Sequence, residues 1–322
     1  MILEVTPLIG CANMCEYCPQ TKLIKEWKTK GSEKKEMFLE DFVNYLSTIP
    51  TDVDIHFTGY VEVFLAQDAP AMVHHAYNKG HKVMLNTTLV GLSKDVWDSF
   101  SDMSFKDVHL HLPSGTFQEA IGLEKPIRWI EHEGKKTRAL SQEYLDMIHH
   151  IAENPHRPMS THSWGNTVHW KCHGSLHPQL HYLLSEDAPA MSKIDTLYQL
   201  DGVDNNKYNL QIEVHGVNSR AMNNLHEKKE KVPPDQNIRG KCPRVTQNVL
   251  LPDGKLSLCC QDYGLDAIMG DLSKLSWDEY QNSERAQKIF KEGADICDFC
   301  EEYVEYVDEE TWDAWRKVKN KD

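Results

Sequence analysis

Cys11-Ala12-Asn13-Met14-Cys15-Glu16-Tyr17-Cys18 follows directly on the apolar run Ile2 to Ile9. Three thiolates this close together suit an iron–sulfur cluster, whose usual protein ligand is cysteine thiolate. A four-iron cluster held by three cysteines keeps one iron without a protein ligand, open to a small molecule. Zinc is the competing reading. It takes four donors, often as two close pairs, so a distant ligand would have to complete this set. A disulfide is disfavoured: nine cysteines, an odd count, with no secretory pattern at the start, read as metal chemistry in a reducing, cytoplasmic compartment.

Working outward from the cysteines, short apolar runs alternate with amphipathic stretches. Ile2–Leu8, Asp54–Thr58, Lys82–Leu85 and Asp107–Leu112 read as strands, with further strands expected at Met159–His162 and Leu210–Gly216. Lys35–Leu46 has helical spacing, Ala69–Lys79 is a helix stopped by Gly80, and Ser93 and Ser141 cap helices running to Phe100 and Glu153. This rhythm gives an α/β protein with a parallel sheet. The span from residue 2 to about 225 has room for roughly six units, short of the eight that close a full barrel in about 250 residues. The expectation is a partial (β/α)6 TIM-like barrel over residues 1–225. Chemistry in such barrels gathers at the C-terminal ends of the strands, and the cysteine loop follows the first strand.

The spacing Cys-x3-Cys-x2-Cys, with Tyr17 just before the third cysteine, resembles the radical S-adenosylmethionine (radical SAM) enzymes. The resemblance implies that Cys11, Cys15 and Cys18 hold a four-iron cluster whose open iron chelates S-adenosylmethionine (AdoMet), with Tyr17 against the adenine. Phe57-Thr58-Gly59-Tyr60-Val61-Glu62 occupies the place of the family's Gly-Gly-Glu-type motif, so Thr58, Gly59, Tyr60 and Glu62 are expected around the methionine ammonium. Tyr60 departs from the family's glycine-rich pattern. Met84-Leu85-Asn86-Thr87-Thr88 resembles the stretch near the ribose, with Asn86 and Thr87 as hydrogen-bonding residues, although its usual final glycine is absent. Arg220, in Asn218-Ser219-Arg220-Ala221, is expected to meet a carboxylate. His109 and His111 share one side of their strand because strand side chains alternate. They either face substrate in the barrel or are half-buried polar residues. His169, Cys172, His173, His177 and His181 invite a metal reading at four-residue helical steps, but Gly174 and Pro178 interrupt such a helix, and loop polarity or substrate contact is the better expectation.

Leu225–Arg239 is charged and contains Pro233-Pro234. It reads as a linker, placed at 226–241, ahead of a second module over 242–322. Here Asp253-Gly254 marks a hairpin between apolar strands. The hairpin brings Cys242 near Cys259 and Cys260, and Cys297-Asp298-Phe299-Cys300 adds a second pair. Four thiolates make a zinc knuckle or a fully ligated four-iron cluster. The pattern resembles the SPASM/twitch extension of radical SAM enzymes. That resemblance implies one auxiliary cluster on Cys242, Cys260 (or Cys259), Cys297 and Cys300. Adjacent cysteines on a strand face opposite ways, so one of Cys259 and Cys260 is surplus, with Cys260 the favoured ligand and Cys259 a candidate hydrogen donor. Cys172 is the weaker alternative donor.

With a net charge of −14, non-specific binding to nucleic acid or to an anionic membrane is not expected. No apolar stretch approaches the length of a membrane span. The resemblances imply reductive AdoMet cleavage and hydrogen-atom abstraction from a substrate, fed by a flavodoxin- or ferredoxin-type electron donor. Dehydrogenation and epimerisation are both open. The first strand begins at residue 2, which tilts the expectation toward a small, carbohydrate- or aminoglycoside-like substrate. A peptide-modifying maturase and a non-catalytic iron–sulfur or zinc protein are the alternatives.

Overall fold

The computed structural model describes residues 1–132, 134–153, 168–184, 212–215 and 242–300. Six strands run parallel: β1 (Ile2–Val5), β2 (Asp54–Phe57), β3 (Val83–Thr87), β4 (Asp107–His111), β7 (His169–His173) and β8 (Ile212–His215). They form the partial barrel. Between β4 and β7 lies a separate antiparallel hairpin, β5 (Trp129–His132) and β6 (Lys135–Arg138). The helices are α1 (Gln20–Lys30), α2 (Leu39–Leu46), α3 (Ala69–Asn78), α4 (Lys94–Ser99), α5 (Gln142–Glu153) and α6 (Pro178–Leu184).

Alternation along the strands sorts the side chains into two chemistries. Leu3, Val5, Ile55, Phe57, Val83, Leu85, Val108, Leu110, Trp170 and Cys172 are buried in one hydrophobic core with Phe42, Leu46, Met72, Val73, Trp97, Ile148 and Ile151 from the helices. The opposite positions are mostly polar: Glu4, His56, Asn86, Asp107, His109, His111, His169, Lys171 and His173, with Met84 an apolar exception. Burying each large apolar side chain contributes about 1.5–3 kcal/mol, so the outer face fixes the fold and the inner face is spared for other uses.

Local chemistry explains the boundaries. Ser93 Oγ accepts from Val96 N (3.3 Å) and Ser141 Oγ from Tyr144 N (3.2 Å), capping α4 and α5. α3 ends at Gly80, whose φ of +97° suits a residue without Cβ. Three findings differ from the sequence reading. Residues 169–173 form a strand in register with β4, so His169 and His173 share one face of a strand and do not follow a helix. α1 was not anticipated; Gln20, Leu23 and Trp27 make its single buried face. The β5–β6 hairpin was likewise unforeseen. The expected strand at Met159–His162, the linker at 226–241, Arg220 and the segment from residue 301 lie outside the described residues.

The second module continues the same sheet. β9 (Gln247–Leu250) pairs parallel to β1, β10 (Lys255–Ser257) returns antiparallel, and β11 (Ile268–Asp271) completes a nine-stranded order β11-β10-β9-β1-β2-β3-β4-β7-β8. The β9–β10 turn uses Asp253-Gly254 as anticipated; Gly254 has φ +85° and lies against the Tyr45 ring. α7 (Trp277–Asn282) opens with a reciprocal Ser276–Glu279 cap, and α8 (Glu284–Glu292) follows. Asn248, fully buried, donates to the carbonyls of Val245 (3.1 Å) and Leu258 (2.9 Å) and accepts from Tyr280 Oη (2.7 Å), tying β9 to the helices. Among the described residues, no helix is long and apolar enough to cross a membrane.

Candidate active site

The cysteine loop occupies the C-terminal end of β1, as the barrel rule requires. Cys11, Cys15 and Cys18 are all half-buried free thiols. Cys18 N donates to Cys15 O (2.9 Å), giving the loop a tight turn. Burial pushes the Cys15 thiol well above its ordinary range, and Glu119, Cys18 and Cys11 add to the rise. Cys11 is raised chiefly by burial, against backbone hydrogen bonds from Glu62 and Asn13 that pull it down. Three half-buried thiols within eight residues, at the C-terminal end of a barrel strand, are a donor set that fits an iron–sulfur cluster.

Around the loop the strand ends converge. Gly59 has φ +94°, and a Cβ there would lie 2.2 Å from Thr6 Oγ1, so only glycine fits. Glu62 is buried and already committed. It accepts from Thr87 Oγ1 (2.7 Å), Thr88 N (2.5 Å), Thr88 Oγ1 (2.6 Å) and Phe64 N (3.2 Å). Its carboxylate thus binds the β2 loop to the end of β3, and burial raises its pKa against those four donors. Asn86 Nδ2 reaches Thr58 Oγ1 at 3.5 Å, and Thr87 is buried beneath Glu62.

Tyr60, the departure from the glycine-rich pattern, has a structural reason. Its ring is fully buried in the second module, where its hydroxyl meets Ser257 Oγ (3.0 Å), Cys259 O (2.7 Å) and Asp262 O (3.2 Å). Its main-chain N–H donates to Thr6 Oγ1 (3.1 Å) and its carbonyl accepts from Gln20 Nε2. The ring packs edge-on to Tyr263 at 4.9 Å, and Tyr263 Oη lies 3.7 Å from Cys18 Sγ. One side chain on the β2 loop therefore anchors the backbone of the second cysteine group.

Tyr17 faces the barrel mouth. Its hydroxyl donates to Glu119 and lies 3.1 Å from His111 Nε2, while its ring stacks on His111 and meets His173 edge-on at 4.5 Å. The His111 and His173 rings are themselves 4.7 Å apart. Glu119 is buried, accepts from Ser114 N (2.9 Å), and has its pKa raised chiefly by burial. Sequence reasoning missed both His173's place here and Glu119 altogether; nothing in the local pattern marks a glutamate that meets a tyrosine 102 residues away. His109 lies deeper, with Nε2 2.9 Å from Asp107 Oδ2.

In the second module a hollow is lined by Cys242, Arg244, Val245, Leu258, Cys259, Gln261, Ile296, Cys297 and Cys300. Cys259, expected as the alternative to Cys260, is the one of the two that lines it. Cys259 joins Cys242, Cys297 and Cys300, whereas Cys260 points the other way into an apolar cluster with Tyr60, Tyr263, Leu23 and Trp27. Both cysteines lie just past β10, at a turn and not on a strand as expected, and Arg244, which also lines the hollow, has its Nη1 3.7 Å from the Cys260 sulfur. Burial pushes the Cys259 thiol up, and Cys260, Cys297 and Cys300 push it further. Asp262 sets the loop beyond: it accepts from Ser257 Oγ (3.0 Å), Asp266 N (3.0 Å) and Ala267 N (2.9 Å). Cys172 is also corrected. It lies on the core side of β7, 1 % exposed, with its thiol pushed up to about 12 by burial and by Glu119. It does not face the barrel interior.

Residues 242–302 match the SPASM family, an iron–sulfur cluster-binding domain. The chain has the fold of a radical SAM enzyme carrying a SPASM domain. Its backbone resembles that of BtrN in complex with AdoMet and 2-DOIA, at 12 % identity over 93 % of this chain and 92 % of that one, with a TM-score of 0.51. It resembles Streptococcus suis SuiB bound to precursor peptide SuiA at 10 % identity over 93 % of this chain and 70 % of that one, with a TM-score of 0.50. No curated protein matches the sequence. In the SPASM domain Cys259 and Cys300 are buried in a hollow walled in part by Val245, Leu258 and Ile296; in the barrel loop all three thiols are half-buried.

Proposed function

We propose that the chain is a radical SAM dehydrogenase acting on a small polar substrate held in the histidine-lined mouth of the barrel. The observation that carries this reading is the pairing of an open three-thiol loop with a closed four-thiol hollow. When bound, AdoMet and the two clusters supply hydrogen-atom abstraction and a one-electron sink. The chain's own residues then have three tasks. Cys11, Cys15 and Cys18 hold the first cluster, and Cys242, Cys259, Cys297 and Cys300 hold the auxiliary one. Thr58, Gly59, Asn86 and Tyr17 line the place for AdoMet, with Glu62 shaping it through Thr87 and Thr88. His111 and His173 hold the position for a base that takes the remaining proton, oriented by the Tyr17–Glu119 hydrogen bond.

Two observations favour dehydrogenation over epimerisation. Epimerisation needs a thiol facing substrate to return hydrogen, and among the described residues Cys172 is packed in the core, Cys260 is buried between an apolar cluster and Arg244, and Cys259 faces the hollow. Imidazoles, by contrast, are abundant on the inner face. A polar substrate fits those imidazoles and Asn86, and BtrN holds 2-DOIA in a comparable fold. The electron donor is proposed to be a flavodoxin- or ferredoxin-type protein, and the setting the cytoplasm.

The test is anaerobic reconstitution, reduction with dithionite, and a screen of amino- and polyhydroxylated cyclic compounds in deuterated water. Expected are 5′-deoxyadenosine and a product lighter by two hydrogens without solvent deuterium. Deuterium in a product of unchanged skeleton would move the assignment to epimerisation. Turnover only of peptides would favour a maturase. No AdoMet cleavage at all would leave a non-catalytic cluster protein.

A further inference from the structure

We propose that Asp107, His109 and His169 form a binding site for a single divalent first-row transition-metal ion in the floor of the barrel, separate from both cysteine groups. The proposal does not depend on the reading of the barrel mouth.

The site follows from register. β4 and β7 run parallel with His109 opposite His169, and both side chains point inward. Asp107, two residues before His109, shares that face. His109 Nε2 lies 2.9 Å from one Asp107 oxygen and His169 Nε2 lies 3.2 Å from the other. The three donor atoms all fall within 4.8 Å of one another. Metal bonds of about 2.0–2.2 Å to imidazole nitrogen and carboxylate oxygen place neighbouring donors roughly 3 Å apart, close to the two imidazole–carboxylate distances seen here. Each imidazole faces the same carboxylate, so a metal ion held by all three would take the place of those two contacts.

The donor set specifies the ion class. Two imidazoles and one carboxylate, with no thiolate, suit zinc, cobalt(II) or iron(II) and leave positions open for water or a substrate oxygen. It is chemically distinct from the soft thiolate sets of the two cysteine groups.

A second observation points to a ligand at this depth. His56 faces the interior from β2 and is only 8 % exposed, yet its Nε2 has no hydrogen-bond partner among the described residues. Asp107 and His109 are both close enough to act on its charge state. A buried imidazole nitrogen without a partner is costly unless something polar fills the space beside it. The cation that His56 feels, Lys106, is held by Asp54 at 2.5 Å, which limits its opposition to a metal ion.

The test is cobalt(II) titration of cluster-loaded protein, followed by absorption spectroscopy and elemental analysis after desalting. Wild type is expected to take up one cobalt per chain, with visible d–d bands and no added thiolate-to-cobalt charge transfer. Asp107→Asn, His109→Gln and His169→Gln should each weaken uptake at least tenfold, while His150→Gln, which removes an unrelated imidazole paired with Asp98, should not. Circular dichroism and retained cluster absorbance check the fold of each variant. No uptake by wild type at millimolar cobalt, or uptake unchanged in all three variants, would overturn the site. Because AdoMet cleavage is not the readout, that failure is distinguishable from failure of the proposed reaction.

Discussion

The two cysteine groups lie on one continuous sheet yet differ in almost everything else. The barrel loop offers three half-buried thiols between β1 and α1, with Met14 at positive φ and 75 % exposed in its middle. The SPASM hollow offers four, with Cys259 and Cys300 buried, walled by Val245, Leu258 and Ile296 and braced by Asn248, Asp262 and Tyr280. An open set is built to present a metal to a ligand. A closed one is built to hold charge away from water. The contact between them is narrow and specific: Cys18 to Tyr263, Tyr263 to Tyr60, and Tyr60 to the Cys259 carbonyl.

The largest expected effect breaks the open site alone. Cys15→Ala should reduce 5′-deoxyadenosine formation to background while auxiliary iron remains, read by product chromatography beside iron analysis. Retained cleavage would show that the loop is not the AdoMet site. Next, Cys259→Ala should lose about four of eight irons yet still cleave AdoMet, whereas Cys260→Ala should keep them all. The reverse outcome would restore Cys260 as the ligand.

A subtler effect lies in pH. Burial raises Asp262 to about 6, against hydrogen bonds from the Asp266 and Ala267 amides and from Ser257. The folded state therefore binds this proton more tightly than the unfolded state. The contribution of this carboxyl to stability should be largest below about pH 4, fall by roughly 3 kcal/mol as pH rises through 6, and level off above. Asp262→Asn should flatten that fall in denaturant melts between pH 4 and 7; an unchanged slope would assign it elsewhere. Smallest is Tyr60→Phe, which removes a hydroxyl shared by the Cys259 and Asp262 carbonyls and Ser257 Oγ, the last of which keeps its bond to Asp262. It should cost about 1–2 kcal/mol in unfolding free energy and slow auxiliary-cluster loading more than loading of the open site. Equal slowing of both would remove Tyr60 as the anchor of the closed one.

Much of this was legible in the sequence, and for identifiable reasons. The strands that alternate cleanly, such as Asp107–His111, and the Asp253-Gly254 turn carry their own local signals. The cysteine spacing carries its chemistry in eight residues. What escaped depends on partners distant in the chain. His169–His173 reads ambiguously because histidines at four-residue steps also fall at two-residue steps, and only pairing with β4 decides between them. Glu119 gains meaning from Tyr17, and Tyr60 from Ser257 and Asp262. The placement of Cys259 and Cys260 turns on the path of the chain just past β10, where the strand has already ended and alternation no longer applies.

The most direct test of the contrast between open and closed sites is electron paramagnetic resonance of the reduced, reconstituted protein with and without AdoMet. Two cluster signals are expected, one that shifts when AdoMet is added and one that does not, with only the unresponsive signal left in Cys15→Ala. A spectrum in which AdoMet moves neither signal, or in which the second module holds zinc and gives none, would contradict the account.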